Sequence, residues 1–325
     1  MPEPSAPARR WTTRELLQWM TGYFRDKGVD APRVCSELLL AHVLGCERMR
    51  LYMEVDRPAA PEELARLREL VARGGRHEPV QHLVGHAWFF THRFAVDRST
   101  LIPRPSTETL VEHLLQSLRQ DATEDLPAAV AGVESSTTGE PCIASGTPPV
   151  PLRIADIGTG TGCIAVALAK ALPHATIVAT DLVPDALELA RRNAEHHGVS
   201  ERIEFRMGDL WSGLTNAHQT AGFDAIASNP PYVSDREWAE VAPNVRLFEP
   251  ESALRGGVDG LDLIRWLVAD AHHWLRPGGH LAIEIAASQG EAALSLAAQN
   301  AGLAASRILQ DHEGLDRVLV ARRSG

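Results

Sequence analysis

Residues 152–162, LRIADIGTGTG, decide the fold. The short apolar run Leu152–Ile157 stops at a loop with glycine at 158, 160 and 162, and CIAVALAKAL (163–172) continues as a helix. A strand, a glycine-rich loop and a helix in that order open a βαβ unit. Glycines there let the backbone turn sharply and let a ligand lie against main-chain atoms.

The same alternation runs outward to the C-terminus. TIVATD (176–181) reads as a strand, and PDALELARRNAEHHG (184–198) as a helix with Pro184 near its first position and Gly198 at its end. RIEFRMGD (202–209) and FDAIASN (223–229) read as strands, DGLDLIRWLVADAHHWL (259–275) as a helix, GGHLAIEI (278–285) as a strand and QGEAALSLAAQNAG (289–302) as a helix. ILQDHEGLDRVLVARR (308–323) closes as a hairpin-like pair. Strands alternating with helices imply an α/β fold with a parallel, doubly wound, Rossmann-like sheet and helices on both faces.

Toward the N-terminus the period changes. Thr12 and Glu15 have capping-box spacing, and Leu16, Leu17, Met20 and Phe24 follow at helical intervals. A second helix begins near Asp30–Pro32 and stops at Gly45; a third begins at Pro61. Residues 1–85 therefore read as a small helical domain with a tail at 1–10, its surface suited to substrate recognition. HAWFFTHRFAVD (86–97) reads as a β-hairpin within a linker over 86–100, and the α/β domain occupies 101–325. In LIPRPSTETLVEHLL (101–115) two prolines stiffen the chain around Arg104, and Ser106 or Thr107 is placed to cap the following helix. Residues 119–151, rich in Ala, Ser, Thr, Gly and Pro without period, read as a flexible insertion.

Composition narrows the class. With 325 residues, 44% hydrophobic and 23% charged, the chain reads as a two-domain globular enzyme. No apolar run approaches the ~20 residues of a membrane helix. MPEPSAPARRW has no apolar core of a secretory signal, so a cytoplasmic protein is expected. The four cysteines are scattered without a CxxC pair, so neither a disulfide framework nor a metal site is indicated. A net charge of −10 without a basic block disfavours direct nucleic-acid binding and suits a basic protein partner.

Four signals fall at strand ends, where ligands of open α/β sheets bind. The first is Asp156, Gly158, Thr159, Gly160, Thr161 and Gly162. Counted from Gly160 through Ala165 the loop also fits a dinucleotide frame, so the glycines alone leave a nicotinamide cofactor open. Asp156 weighs against it: a carboxylate there repels a pyrophosphate and suits a cationic amino-acid ligand. The second is Asp181, whose carboxylate can accept from both ribose hydroxyls or serve the helix at Pro184. The third is Asp209 with Leu210: an acid for an adenine amino group and a backbone N–H for the ring. The fourth is Asn229-Pro230-Pro231-Tyr232. Consecutive prolines carry no N–H and present carbonyls on a rigid backbone. The Asn229 side-chain oxygen and the Pro230 carbonyl can together accept both N–H bonds of a planar NH₂, with the Tyr232 ring packed on its plane. Together the signals point to methyl transfer from S-adenosylmethionine to an amide or base amino group.

The chain resembles the release factor glutamine methyltransferase family over roughly residues 30–118 and 152–322. The stretches that carry the resemblance are SELLLAHVLGCER, HEPVQHLVGHAWFFTHRFAVDRSTLIPRPSTETLVE, IADIGTGTGCIAVALA, SNPPYV, FEPESALRGGVDGLDLIR and DRVLVARR. The resemblance implies a class I methyltransferase domain and N5-methylation of the glutamine in the Gly-Gly-Gln motif of peptide chain release factors. It further implies that Gly158–Gly162, Asp181 and Asn229 contact the cofactor, that Asn229, Pro230, Pro231 and Tyr232 hold the substrate glutamine, and that the helical domain docks the release factor. Three departures stand out: Ser106 where the family has glutamate, Ala286 where it has glycine, and the length of the insertion. The aromatic of the family falls at Leu210, leaving Trp211 as a candidate pocket wall without a firm role. The sister enzyme acting on a ribosomal protein, and DNA adenine-N6 methyltransferases, share the Asn-Pro-Pro-Tyr loop. FEPESALRGGVDGLDLI reads closer to the release factor branch.

Overall fold

A computed structural model describes residues 10–124 and 151–325. Residues 1–9 of the tail and 125–150 of the insertion lie outside them. Among the described residues two compact units form: one of the chain through Ala87 with Val96–Arg98 and Val241–Glu249, the other of Trp88–Ala95, Ser99–Glu240 and Pro250–Gly325.

The first unit is helical: α1 (Thr13–Asp26), α2 (Pro32–Leu44), α3 (Arg48–Met53), α4 (Pro61–Gly74), α5 (Val80–Val84) and, from the later segment, α10 (Pro243–Arg246). The capping box forms: Thr12 Oγ1 accepts the Glu15 N–H at 3.3 Å and Glu15 Oε2 accepts the Thr12 N–H at 2.9 Å. The four-residue spacing of Leu16, Met20 and Phe24 puts all three on one buried face, packed with Leu39, Leu40, Leu67 and Val71. Burying each such side chain stabilises the unit by roughly 1.5–3 kcal/mol. Gly45 ends α2 at φ 63°, in the left-handed region that glycine reaches without cost. α3 and α5 were not anticipated, because six and five residues are too few to show a helical period.

The second unit holds a seven-stranded sheet in the order β5-β4-β3-β6-β7-β9-β8. Its strands are β3 (Leu152–Ile157), β4 (Ala175–Asp181), β5 (Ile203–Met207), β6 (Phe223–Ser228), β7 (Leu275–Glu284), β8 (Leu303–Gln310) and β9 (Asp316–Arg323). The first five are parallel, while β9 inserts between β7 and β8 antiparallel to both. The sheet is therefore mixed: the hairpin-like pair expected at 308–323 forms as β8 and β9, and the short turn between them permits only antiparallel pairing. The hairpin of β1 (His86–Phe89) and β2 (His92–Ala95) forms where the sequence placed it. The helices are α6 (Pro105–Glu124), α7 (Cys163–Ala171), α8 (Pro184–His196), α9 (Asn216–Ala221), α11 (Asp262–Trp274) and α12 (Gly290–Gln299). α7 is buried from Cys163 to Ala169, which explains its run of small and apolar residues.

Two boundaries shift. α6 continues to Glu124, so residues 119–124 are helix rather than insertion. α6 begins at Pro105, so Ser106 and Thr107 sit inside its first turn and do not cap it. Their hydroxyls meet Glu284 and Asn229 instead.

Register sets the site. Ile157 pairs with Thr180 on one side and Ser228 on the other, Asp181 pairs with Met207, and Ser228 pairs with Ile283. The residues that follow, Gly158, Gly208, Asn229 and Glu284, thus leave the sheet along one edge beside Asp181. The order reverses at β3, whose neighbours are β4 and β6, and such a switch point opens a crevice.

Candidate active site

That crevice is a cleft of about 820 Å³, solvent at its mouth included. Its floor is Ile157, Gly158 and Gly160; one wall is Asp181, Leu182, Val183, Asp209 and Leu210; the other is Asn229, Pro230 and Pro231. Ser99, Thr100, Leu101, Ser252 and Ala253 also line it.

The glycine loop is braced from below. Gly158, Gly160 and Gly162 have φ of 73°, 53° and 78°. A Cβ on Gly162 would lie 3.1 Å from Ala190 Cβ, so this glycine serves the contact with α8. Asp156 is fully buried; its Oδ2 accepts from Thr159 Oγ1 at 2.6 Å and from the Ala165 N–H at 3.1 Å. Its Oδ1 has no partner, and burial pushes its carboxyl up to about 7. Thr159 and Thr161 are likewise buried, and the Thr161 carbonyl accepts from Asn193 Nδ2 at 2.9 Å. Asp156, Thr159 and Thr161 therefore shape the loop from beneath, while Gly158 and Gly160 face the cleft.

Asp181 does two jobs at once. Its Oδ2 accepts the Gly160 N–H at 2.8 Å and its Oδ1 the Val183 N–H at 2.9 Å. Burial raises its carboxyl above the usual range, and the N–H bonds from Val183 and Gly160 oppose that. Asp209 and Leu210 reach the opposite part of the wall; Leu210 is held at φ 47°, a strained conformation for leucine of the kind found at functional loops. Trp211 does not line the cleft; it stacks on Trp274 with ring centroids 5.8 Å apart.

The Asn229–Tyr232 loop is clamped from behind by glycines. A Cβ on Gly256 would come within 2.5 Å of the Pro231 carbonyl oxygen, and one on Gly260 within 2.2 Å of that of Tyr232. The Tyr232 carbonyl also accepts from Gln289 Nε2 at 2.9 Å. Asn229 Nδ2 donates to Thr107 Oγ1 at 3.1 Å, and Asn229 Oδ1 is buried without a partner. Tyr232 turns its hydroxyl toward Glu284 Oε1, 3.4 Å away, and packs with the apolar cluster under the sheet rather than lining the cleft.

Three functional candidates escaped the sequence reading. Thr100 is 2% exposed and lines the cleft near Gly160, yet its hydroxyl has no partner. Thr107 holds Asn229. Glu284, fully buried at the end of β7, accepts from Ser106 Oγ at 3.0 Å, and its Oε2 has no partner. The one available signal was a lone acid at the end of the AIEI strand. Among the described residues no cluster of His, Cys, Asp and Glu could hold a metal, and no helix is long and apolar enough to cross a membrane.

Comparison with known proteins adds two matches to family models: a PrmC N-terminal domain over residues 15–85 and a Methyltransferase small domain over 147–250. The release factor glutamine methyltransferase of Geobacter sulfurreducens is 40% identical over 312 residues, 96% of this chain and 97% of that one. Those of Rhodopirellula baltica and Chlorobaculum tepidum are each 37% identical, over 97% and 95% of this chain and 97% and 96% of their own.

Proposed function

The chain belongs to the release factor glutamine methyltransferase family, and from that premise we propose how its own residues perform the family reaction. The protein is an S-adenosylmethionine-dependent methyltransferase with a class I fold and an N-terminal helical domain. It transfers a methyl group to the side-chain amide nitrogen, N5, of the glutamine in the Gly-Gly-Gln motif of peptide chain release factors.

The cleft fits the cofactor. Asp181 lines the cleft beside the glycine loop, and Asp156 braces that loop from beneath. Asp181 receives the ribose hydroxyls. Asp209 and the backbone beside Leu210 meet the adenine. The main chain of Gly158 and Gly160 lies against the methionine part, and the unpartnered hydroxyl of Thr100 donates to its carboxylate. When bound, S-adenosylmethionine supplies an electrophilic methyl carbon on a sulfonium.

The remaining chemistry belongs to Asn229 and Pro230. An amide nitrogen is a weak nucleophile because its lone pair is delocalised. Asn229 Oδ1 and the Pro230 carbonyl accept both N–H bonds of the substrate amide, which raises electron density on the nitrogen and fixes its orientation. Pro231 keeps the loop stiff, and Tyr232 packs at its end. Alignment of this kind gives effective molarities on the order of 10⁵ M or more. No strong base is required, since the nitrogen proton becomes acidic once the methyl is attached.

The single observation that carries this reading is the unpartnered, buried Asn229 Oδ1. A buried amide oxygen without a bond costs ~1–3 kcal/mol, a cost that a substrate N–H relieves. Release factors are the partner, docked in part by the helical residues through 85, in a cytoplasmic setting. The test is turnover on a purified release factor by the wild-type chain and its Asn229→Ala variant. Loss of transfer with cofactor binding kept supports the assignment; unchanged turnover refutes it.

A further inference from the structure

Gln289 sits in the short turn after β7, 5% exposed and outside the cleft lining. Its side-chain amide is fully used. Oε1 accepts the Ala286 N–H at 3.0 Å, and Nε2 donates to the Tyr232 carbonyl at 2.9 Å and to the Asp259 carbonyl at 3.3 Å. A backbone N–H only donates and a carbonyl only accepts, so the three partners permit this orientation of the amide and not the reverse. The fit is close: Gly260 has φ 76°, and a Cβ there would come within 2.2 Å of the Tyr232 carbonyl oxygen and 2.5 Å of Gln289 Nε2.

The Asn229–Tyr232 loop needs such a hold from outside. Pro230 and Pro231 carry no N–H, so the middle of the loop cannot be tied down through backbone donors. Its carbonyls are the groups left to hold it, and a carbonyl is fixed only by a donor brought from elsewhere. Gln289, 57 residues further along the chain, brings one to the Tyr232 carbonyl. Tyr232 is held at its other end as well, where its hydroxyl meets Glu284 Oε1 at 3.4 Å.

We propose that Gln289 is a positioning residue of the acceptor loop: its amide, oriented by the Ala286 N–H, holds the Tyr232 carbonyl so that the oxygens of Asn229 and Pro230 are aimed at the substrate amide. The proposal rests on the reading of those two oxygens as the substrate acceptors. Gln289 acts on the substrate side of the cleft and not on the glycine loop, so its loss is felt in turnover and not in cofactor binding.

The experiment compares Gln289→Met and Gln289→Glu with wild type and Asn229→Ala, using a purified release factor and calorimetry with S-adenosylhomocysteine. Gln289→Met keeps the length of the side chain and removes both donors, so kcat falls ~10²-fold, as for a misplacement of about 1 Å at the reacting group. KM for the release factor and Kd for S-adenosylhomocysteine stay within about threefold of wild type, the pattern of an interaction used only in the transition state. Gln289→Glu keeps the shape but sets an oxygen where Nε2 stood, against two carbonyls, and loses about tenfold or more in kcat. Gln289→Met turning over within about threefold of wild type overturns the proposal. A Kd that weakens in step with kcat also overturns it, because the loss is then general to the cleft. Should Gln289→Met fail to fold, Gln289→Glu decides, and a wild-type kcat there overturns the role. Wild-type turnover by Asn229→Ala is a separate failure, that of the acceptor reading itself.

Discussion

The carboxylate of Asp181 accepts the backbone N–H of Gly160 at 2.8 Å, tying the end of β4 to the glycine loop that follows β3. The same group takes the Val183 N–H at 2.9 Å, so one side chain fixes the loop and the entry to α8. Asp181→Ala is expected to weaken S-adenosylhomocysteine binding at least tenfold, by roughly 1.5–3 kcal/mol for charge-assisted bonds. Asp181→Asn, with one acceptor oxygen left, falls between. Calorimetry reads the effect, and an unaltered Kd in the alanine variant excludes Asp181 from the cofactor site.

Thr100 gives a test that separates the two ends of the cofactor. Replacing it with valine removes one hydroxyl that has no internal partner, so the fold loses little. S-adenosylhomocysteine is expected to bind roughly tenfold or more weakly, the worth of one hydrogen bond to a charged group. 5′-Methylthioadenosine, which lacks the amino-acid carboxylate, is expected to bind as before. Equal weakening of both ligands would contradict the assignment.

Gly162 and Gly158 share a left-handed backbone and differ in their surroundings. Alanine at 162 meets Ala190 Cβ at 3.1 Å and its backbone at 3.2 Å, whereas alanine at 158 meets nothing within 4 Å. Both carry the ~1–2 kcal/mol cost of a left-handed alanine. Gly162→Ala adds the clash and is expected to lower the melting temperature clearly more than Gly158→Ala. Gly158→Ala reaches into the cleft and is expected to lose cofactor affinity instead. Thermal melts and calorimetry on the two variants check the contrast, and equal melting temperatures would argue against Gly162 as a packing contact.

Asp156 sets a pH dependence. Burial raises its folded carboxyl to about 7 from an ordinary value of 3.8, so the folded state holds this proton more tightly than the unfolded chain. The stability it contributes is complete below pH ~4 and is lost as pH rises through about 7. Asp156→Asn has no such titration. Its stability relative to wild type is expected to improve between pH 5 and pH 8, by about 2.5 kcal/mol. Urea denaturation of the cofactor-free proteins measures it; a pH-independent difference would show that the buried carboxyl does not titrate there.

The α/β alternation and the strand-end motifs were legible because parallel, doubly covered strands are short apolar runs, and because register brings consecutive strand ends to one edge. Gly158, Asp181 and Asn229 could be placed from local sequence alone. The roles of Thr107, Ser106 and Glu284 could not, since each depends on a partner more than a hundred residues away. Ser106 and Thr107 have the composition of a helix cap, and local reasoning chose that role because it sees only the next turn of chain. Trp211 is similar: its place beside the cleft motif suggested a wall, but it stacks on Trp274 outside the cleft lining. The antiparallel insertion of β9 is a property of the whole sheet, invisible in any one strand.

The most direct measurement is transfer of label from S-adenosylmethionine to a purified release factor, beside a variant of that factor with its Gly-Gly-Gln glutamine replaced. Label on the wild-type factor alone is the predicted result. Equal label on both, or none on either while the cofactor binds, would contradict the assignment of this cleft to that glutamine.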